Sequence, residues 1–142
     1  MHRILRNCIL ASALTFAALP AFAGMVVVTS ASSSVKTLGK DDVTALYLGK
    51  TTNLPGGSAA KLYDLADSNP GREKFYQGAT GKSASQVKSV WSRLVFSGRA
   101  LPPKELSDDA AVIKAVAADP NAVGYVDSAS VDASVHVVFK LP

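Results

Sequence analysis

The sequence predicts an α/β fold in which short buried strands alternate with helices. Residues 25–29 (Met-Val-Val-Val-Thr) form a continuous apolar run, which is typical of a strand buried on both faces. Val87, Trp91 and Leu94 are spaced three and four residues apart, as on the inner face of an amphipathic helix. Another buried strand is predicted at 123–126, late in the chain. Together these segments indicate a mixed sheet flanked by about four helices.

Cap and turn residues mark where the elements begin and end. Asn69 and Pro70 start a helix, because Asn caps its first turn and Pro at the first helical position loses no hydrogen bond. Ser83 and Gln86 form a capping box before the amphipathic helix, and Ser107 is predicted to cap the last helix. In chain order we predict a strand at 25–29, a helix at 40–48, a strand at 60–65, a helix from 70 to Gly78 or Gly81, a helix between Ser83 and Ser97, a helix after Ser107, and strands at 123–126 and 135–140.

The first 23 residues have the pattern of a cleaved signal peptide. Arg3 and Arg6 supply positive charge, an apolar run follows, and the segment ends in small residues that a signal peptidase reads. Cleavage after Ala23 would leave residues 24–142 as a single domain. The sequence therefore predicts an exported protein of the bacterial periplasm.

The composition of the predicted mature chain excludes several classes of function. It retains one histidine, His136, and no cysteine, which excludes disulfides, thiolate metal sites and cysteine nucleophiles. Its thirteen Lys and Arg residues barely outnumber eleven Asp and Glu residues and are dispersed, which argues against nucleic-acid binding. No apolar run in it reaches the length of about 18 residues that spans a membrane. No motif indicates a metal or another cofactor.

Three motifs that could suggest enzymatic activity have simpler interpretations. The segment from Tyr76 to Ser83 lacks the first glycine of a phosphate-binding P-loop and follows a helix instead of a strand. The S-x-x-K tetrads at 33–36 and 85–88 lack the partner motifs that such serine nucleophiles need. His136 is predicted to face solvent from a strand. The sequence therefore predicts that the protein is not an enzyme.

The junction between the second strand and the following helix is the best candidate for a ligand site. Ser68 and Asn69 offer polar side chains where backbone N–H groups and the positive end of the helix dipole face outward. Arg72 opposes that dipole, and a bound oxyanion gripped by its guanidinium would compensate it. Pairing of Arg72 with Asp67, or simple solvation, explains the same residue equally well.

Several segments occur in the order seen in one family. They are Val43–Lys50 (VTALYLGK), Asp67–Phe75 (DSNPGREKF), Trp91, Asp109–Ala118 and Asn121–Asp127 (NAVGYVD). This set resembles the phosphate ABC transporter substrate-binding proteins of the periplasm, and the likeness runs from about Leu38 to Asp127. The resemblance implies a periplasmic-binding-protein-like (type II) domain that captures an oxyanion.

The resemblance also implies which residues contact the ligand. Ser68 and Arg72 match a serine and a helix-opening arginine of the family's ligand loop, and the loop after the first strand matches by position and hydroxyl content. The implied ligand-binding residues are Ser68, Asn69, Arg72, Ser32, Ser33 and Ser34. Two departures stand out: Asn-Pro-Gly replaces a Gly-Thr portion and removes a coordinating hydroxyl, and the chain is short, as in a single-domain form.

Two functions are compatible with these residues. The first is binding of inorganic phosphate or a related oxyanion, for uptake through an ABC transporter permease or for a periplasmic sensor protein. It predicts that Arg72→Ala abolishes anion-dependent stabilisation and leaves the fold intact. The alternative is an interaction module that keeps the fold without a small-molecule ligand and acts in a periplasmic sensor or envelope complex.

Overall fold

The computed structural model describes residues 24–142, so the predicted signal peptide lies outside the described residues. Five strands and four helices make up this part of the chain, with a single turn of 3₁₀ helix near its end. They are β1 (Met25–Ser30), α1 (Lys40–Tyr47), β2 (Lys61–Leu65), α2 (Pro70–Thr80), α3 (Ala84–Phe96), β3 (Lys104–Leu106), α4 (Asp109–Ala117), β4 (Ala122–Asp127), the 3₁₀ turn (Ser128–Ser130) and β5 (Val135–Lys140).

The strands form one mixed sheet in the order β3-β2-β4-β1-β5. β2 is parallel to β3 and β4, whereas β1 is antiparallel to both β4 and β5. The first strand of the chain therefore lies inside the sheet, and all six of its residues are buried. β2, β3 and β4 end at the same edge, which we call the C-terminal edge.

Helices cover both faces of the sheet. Successive residues of a strand point to opposite faces, so Gly124 and Tyr125 identify the two layers. At Gly124 the sheet packs against Val112 of α4, whereas the ring of Tyr125 stacks on Phe75 of α2 with 3.7 Å between ring centroids. Tyr47 of α1 meets both rings edge-on. The predicted mixed α/β class, with about four helices around the sheet, is confirmed.

The caps explain most helix boundaries, and one prediction about them was wrong. Asn69 accepts a hydrogen bond from the Gly71 amide, and Ser83 and Gln86 form the reciprocal capping box. The N-cap of α4 is Asp108 and not Ser107, since the Asp108 carboxylate accepts from the Ala111 amide. An Asp at this position caps as well as Ser and also favours the helix dipole.

Two other features differ from the sequence-based expectation. β3 was not predicted, because three residues after a Pro-Pro pair carry no periodicity, and it forms by pairing with β2. In β5, a strictly alternating strand would place Val138 on the solvent-facing side with His136, but Val138 is buried. The register of β5 shifts between Val27 and Val28 of β1, and such a bulge changes which residues face the core.

Gly124 provides a test of the packing between the sheet and α4. A Cβ atom there would lie 2.6 Å from Cγ1 of Val112 and 2.9 Å from Cγ2 of Val116. We expect Gly124→Ala to lower the free energy of unfolding by about 1–3 kcal/mol, because the extra methyl overpacks the core. Urea unfolding measures the change. Gly24→Ala is the control, because within residues 24–142 no atom beyond its chain neighbour lies within 4 Å of the added Cβ. Equal stability of the two variants would contradict the packing described here.

Candidate functional site

The predicted ligand loop lies at the C-terminal edge, between the end of β2 and the start of α2. We call residues 66–69 the Ser68 turn. Ser68 itself is exposed, and the turn closes through a hydrogen bond from the Asn69 amide to the Ala66 carbonyl. A depression of about 490 Å³ adjoins the turn, lined by Met25, Asn69, Pro70, Gly71, Lys74, Asp108, Asp109, Ala110 and Asp127.

The first turn of α2 offers few donors to a ligand. Pro70 has no N–H group, and the Gly71 amide donates to Oδ1 of Asn69 at 2.9 Å. The amide of Arg72 donates to the Asn69 carbonyl at 3.1 Å. Asn69 thus acts as a helix cap, and an anion at this edge would rely on the exposed Ser68 more than on the helix N-terminus.

Arg72 is buried and bound to carboxylates of the same chain. Its side chain is 6% exposed, and its Nη1 lies 2.8 Å from Asp67 Oδ1 and 2.7 Å from Glu105 Oε1. Its Nη2 lies 3.7 Å from Asp64 Oδ2. Burial alone would lower the pKa of Arg72, but the neighbouring carboxylates raise it, so the guanidinium stays charged. Of the two alternatives left open by the sequence, the structure contains the pairing with Asp67.

Asp64 is the most buried member of this cluster. It accepts hydrogen bonds from the Tyr76 hydroxyl at 2.6 Å, from the Tyr125 hydroxyl and from the Leu65 amide at 2.9 Å. Burial raises the pKa of Asp64, and the tyrosine hydrogen bonds and the Arg72 charge offset part of that increase. The carboxylate connects the sheet to α2 through groups in the protein interior.

Sequence reasoning missed two of the three carboxylates that contact Arg72. Asp64 was a detectable signal, because a charged residue in an otherwise apolar strand needs a buried partner. Glu105 was not detectable, since it belongs to β3, a strand without a sequence pattern. The cluster as a whole indicates that Arg72 stabilises the C-terminal edge.

The serine loop after β1 lies at the other end of the sheet. Met25 pairs with Asp127 at the C-terminal edge, whereas Thr29 pairs with Val123 at the opposite edge, because β1 is antiparallel to β4. Five residues of strand rise roughly 3.3 Å each, which separates the two loops by about 17 Å. The loop comprising Ser32, Ser33 and Ser34 therefore cannot bind the same small anion as Ser68, Asn69 and Arg72. The expectation of one site built from both loops is corrected here.

Hydrogen bonds within the serine loop have a structural role. The Ser33 hydroxyl is buried and accepts from the Val35 amide at 3.1 Å. The hydroxyls of Ser30 and Ser32 lie 2.9 Å apart, and Ser30 also donates to the Ala117 carbonyl. These contacts hold the end of β1 against α4.

A groove lies on the other side of Arg72, between α3 and the connector to β3. Its volume is about 430 Å³, and we call it the α3 groove. It is lined by Asp64, Arg72, Lys88, Trp91, Ser92, Val95, Phe96, Pro102, Pro103 and Glu105. Within residues 24–142, no cluster of three or more His, Cys, Asp or Glu residues is arranged to hold a metal ion. No helix in this range has the length and apolar character needed to cross a membrane.

Three solved structures share the fold of this chain. A Clostridium perfringens structure with bound phosphate, described as a phosphate ABC transporter substrate-binding protein, is 22% identical, with a TM-score of 0.65 over 82% of this chain and 44% of that one. An ABC-type phosphate transport receptor from Vibrio cholerae is 18% identical, with a TM-score of 0.64 over 82% and 45%. PstS from Borrelia burgdorferi is 9% identical, with a TM-score of 0.61 over 82% and 46%.

These likenesses establish the fold. The chain has the architecture of part of the phosphate substrate-binding proteins, and it spans less than half the length of these three structures. The resemblance inferred from the sequence motifs is confirmed at the level of the fold. No protein-family model matches the chain, and no curated protein matches it in sequence.

Proposed function

We propose that this protein is an exported, periplasmic domain of the substrate-binding type that binds phosphate or a related oxyanion at the Ser68 turn. One observation carries the proposal. The Ser68 turn joins a strand end to a helix start in a fold shared with a phosphate ABC transporter substrate-binding protein solved with bound phosphate and with an ABC-type phosphate transport receptor. In this proposal the protein has no catalytic activity. Its anion-bound form interacts with an ABC transporter permease or with a periplasmic sensor protein.

In this proposal the predicted ligand residues have different roles. The Ser68 hydroxyl is exposed and contacts the anion directly. Asn69 shapes the turn, since its side chain is occupied as a cap. Arg72 acts indirectly: its guanidinium holds Asp67 within the turn and offsets the negative charge of that carboxylate. The adjoining depression is lined by the carboxylates of Asp108, Asp109 and Asp127. Their negative charge repels an anion and so limits the affinity of the Ser68 turn for it.

Thermal unfolding in phosphate, sulfate and chloride at matched ionic strength tests the proposal. A ligand at 100 times its Kd stabilises a fold by about 2.7 kcal/mol, so a phosphate-selective increase in Tm is expected. Ser68→Ala should remove the increase. The matched control is Ser85→Ala, which replaces an exposed serine on α3. An unselective response to all three anions, or an unchanged phosphate response in Ser68→Ala, would contradict binding at this turn.

The second candidate function is an interaction module without a small-molecule ligand, acting in a periplasmic sensor or envelope complex. The saturation of Arg72 by Asp64, Asp67 and Glu105 favours it, since an anion would have to compete with three carboxylates. Pro70 and the Asn69 cap further reduce the donors at the helix start. This function predicts no change in Tm with any of the three anions.

A further inference from the structure

The exposed apolar surface of residues 24–142 is concentrated at the end of α3. In this range the large apolar side chains that remain substantially exposed are those of Val95 (45%), Phe96 (96%) and Leu101 (86%). Phe96 is the last residue of α3, and Leu101 lies in the connector to β3. We call residues 93–104 the α3 tip. Clustered exposed apolar side chains on a folded domain mark protein or membrane interaction sites.

The α3 tip carries positive charge and no carboxylate. Its cations are Arg93, Arg99 and Lys104, and it contains no Asp or Glu. All three are exposed, and within residues 24–142 none of them has a carboxylate at ion-pair distance. Glu105, the next residue of the chain, is already paired with Arg72 at 2.7 Å. The tip therefore combines exposed apolar side chains with uncompensated positive charge.

Two of the cations adjoin the end of α3. Arg93 and Phe96 are three residues apart in the helix, so they are neighbours on its surface. The Arg99 amide donates to the Leu94 carbonyl at 3.0 Å, which holds Arg99 against the last turn of α3. Both guanidinium groups therefore belong to the turn that presents Phe96.

The third cation shares a depression with Leu101. This depression has a volume of about 300 Å³, and its lining contains two cations, Lys61 and Lys104, and no Asp or Glu. Lys61 is paired with Asp119, which lies outside the depression, at 3.2 Å, so Lys104 supplies its uncompensated charge. A depression of this composition is complementary to an anionic group that lies beside an apolar one.

The high exposure of the apolar side chains favours a lipid bilayer as their partner. Phe96 and Leu101 project from the surface with little contact to the rest of the chain. Projecting apolar side chains enter the interfacial region of a bilayer without a shaped pocket, while Arg and Lys beside them stay at the headgroups. A second copy of this chain bound through the same face would oppose three cations to themselves, which is unfavourable.

We propose that the α3 tip is a contact site for an anionic phospholipid surface. Phe96 and Leu101 insert between the lipids near the headgroups, and the apolar contact area supplies the non-electrostatic part of the affinity. Arg93, Arg99 and Lys104 bind the lipid phosphates and supply the part that depends on anionic lipid and is weakened by salt.

This site is separate from the Ser68 turn. β2 and β3 are parallel and both end at the C-terminal edge, where the Ser68 turn lies. The connector enters β3 from the opposite side, beside Lys61, the first residue of β2. Lipid binding therefore does not depend on the proposed anion site, and either site can fail without the other.

Sedimentation with phosphatidylglycerol vesicles tests the site, with phosphatidylcholine vesicles as the comparison without net charge. We expect the wild type to bind the anionic vesicles about tenfold more tightly or better. Phe96→Ser/Leu101→Ser should lower that affinity about tenfold or more, because the apolar contact is lost. Both side chains are exposed, so this variant should keep the Tm of the wild type. Ser68→Ala should bind the vesicles as the wild type does.

Charge reversal separates the α3 tip from general electrostatic attraction. Arg93→Glu/Arg99→Glu/Lys104→Glu should bind phosphatidylglycerol vesicles about tenfold more weakly, or worse, than a control of the same net charge. The control reverses three exposed lysines outside the tip, Lys36→Glu/Lys40→Glu/Lys114→Glu. Equal loss of binding in the two triple variants would overturn the assignment to the tip.

Phe96→Trp reports insertion directly. Trp91 is the one tryptophan of the chain and is buried, so a change in emission that the wild type lacks comes from residue 96. We expect this variant to bind as the wild type does and its emission to shift to the blue on phosphatidylglycerol vesicles. Unshifted emission of the bound variant, equal binding to both lipids or no binding to either would overturn the proposal, the last in favour of a protein partner. Phe96-dependent dimerisation without lipid would overturn it in favour of a second copy.

Discussion

Arg72→Ala is expected to lower the free energy of unfolding by about 3 kcal/mol at neutral pH. Removal of one partner from a buried ion pair leaves an uncompensated charge, which is strongly destabilising. Here that charge is Asp64, whose side chain is 3% exposed, whereas Asp67 and Glu105 can turn to water. The structure thus changes the expectation that this replacement leaves the fold intact. Urea unfolding measures the loss, with Arg93→Ala as the exposed-arginine control, expected to stay within about 0.5 kcal/mol.

The pH dependence of the loss identifies Asp64 as its cause. Without Arg72, the pKa of the buried Asp64 carboxyl rises further above its unfolded value of about 3.9. A carboxyl with a raised pKa in the folded state contributes stability below the unfolded pKa, and that stability is lost as pH rises through the folded pKa. The difference in free energy of unfolding between the wild type and Arg72→Ala should therefore grow from pH 4 upwards. Adding Asp64→Asn should recover part of it, and a deficit independent of pH would contradict the buried charge.

Alkaline unfolding is expected to be unusually steep. Tyr47, Tyr76 and Tyr125 are buried, and burial together with the Asp64 charge raises the pKa of each above its ordinary value. Their stabilising contribution is complete below the unfolded pKa of about 10 and is lost above it, because only the unfolded state releases the protons. Three such tyrosines remove about 4 kcal/mol of stability between pH 9 and 11.

Denaturant titrations from pH 8 to 11.5, with tyrosinate absorbance recorded in parallel, measure this effect. Ionisation of the buried tyrosines should coincide with unfolding. Tyr76→Phe removes one of the three groups, so it should lower the slope of stability against pH by about a third, whatever its effect at neutral pH. Tyrosinate signal from all three residues in the still-folded protein would show that the hydroxyls are not buried as described.

Local patterns were sufficient to predict most of the fold. The apolar run of β1, the capping box at Ser83 and the Asn69-Pro70 helix start each depend on neighbouring residues, so the sequence displays them directly. β3 depends on pairing with β2 forty residues earlier, and the shifted register of β5 depends on β1. Such features arise from tertiary contacts, which no short window of sequence contains.

The candidate site was harder to predict than the fold. The position of Ser68 and Asn69 before a helix followed from the cap pattern, and the Arg72–Asp67 pair was one of two open alternatives. The serine loop joins this set only through the family resemblance, which matches it by its position after the first strand and by its hydroxyl content. Whether the two loops meet depends on the direction of β1 relative to β4. That direction is set by the pairing in the sheet and is not visible in the strand sequence.

The inner position of β1 has a consequence for the order in which the chain can fold. Its pairing partners are β4 and β5, roughly a hundred residues further along the chain. A chain that emerges from its N-terminus keeps this apolar strand unpaired until β4 and β5 have followed. The sheet is therefore completed in a late folding step. A chain whose synthesis stops before β4 would expose β1 as an unpaired apolar strand, which promotes aggregation.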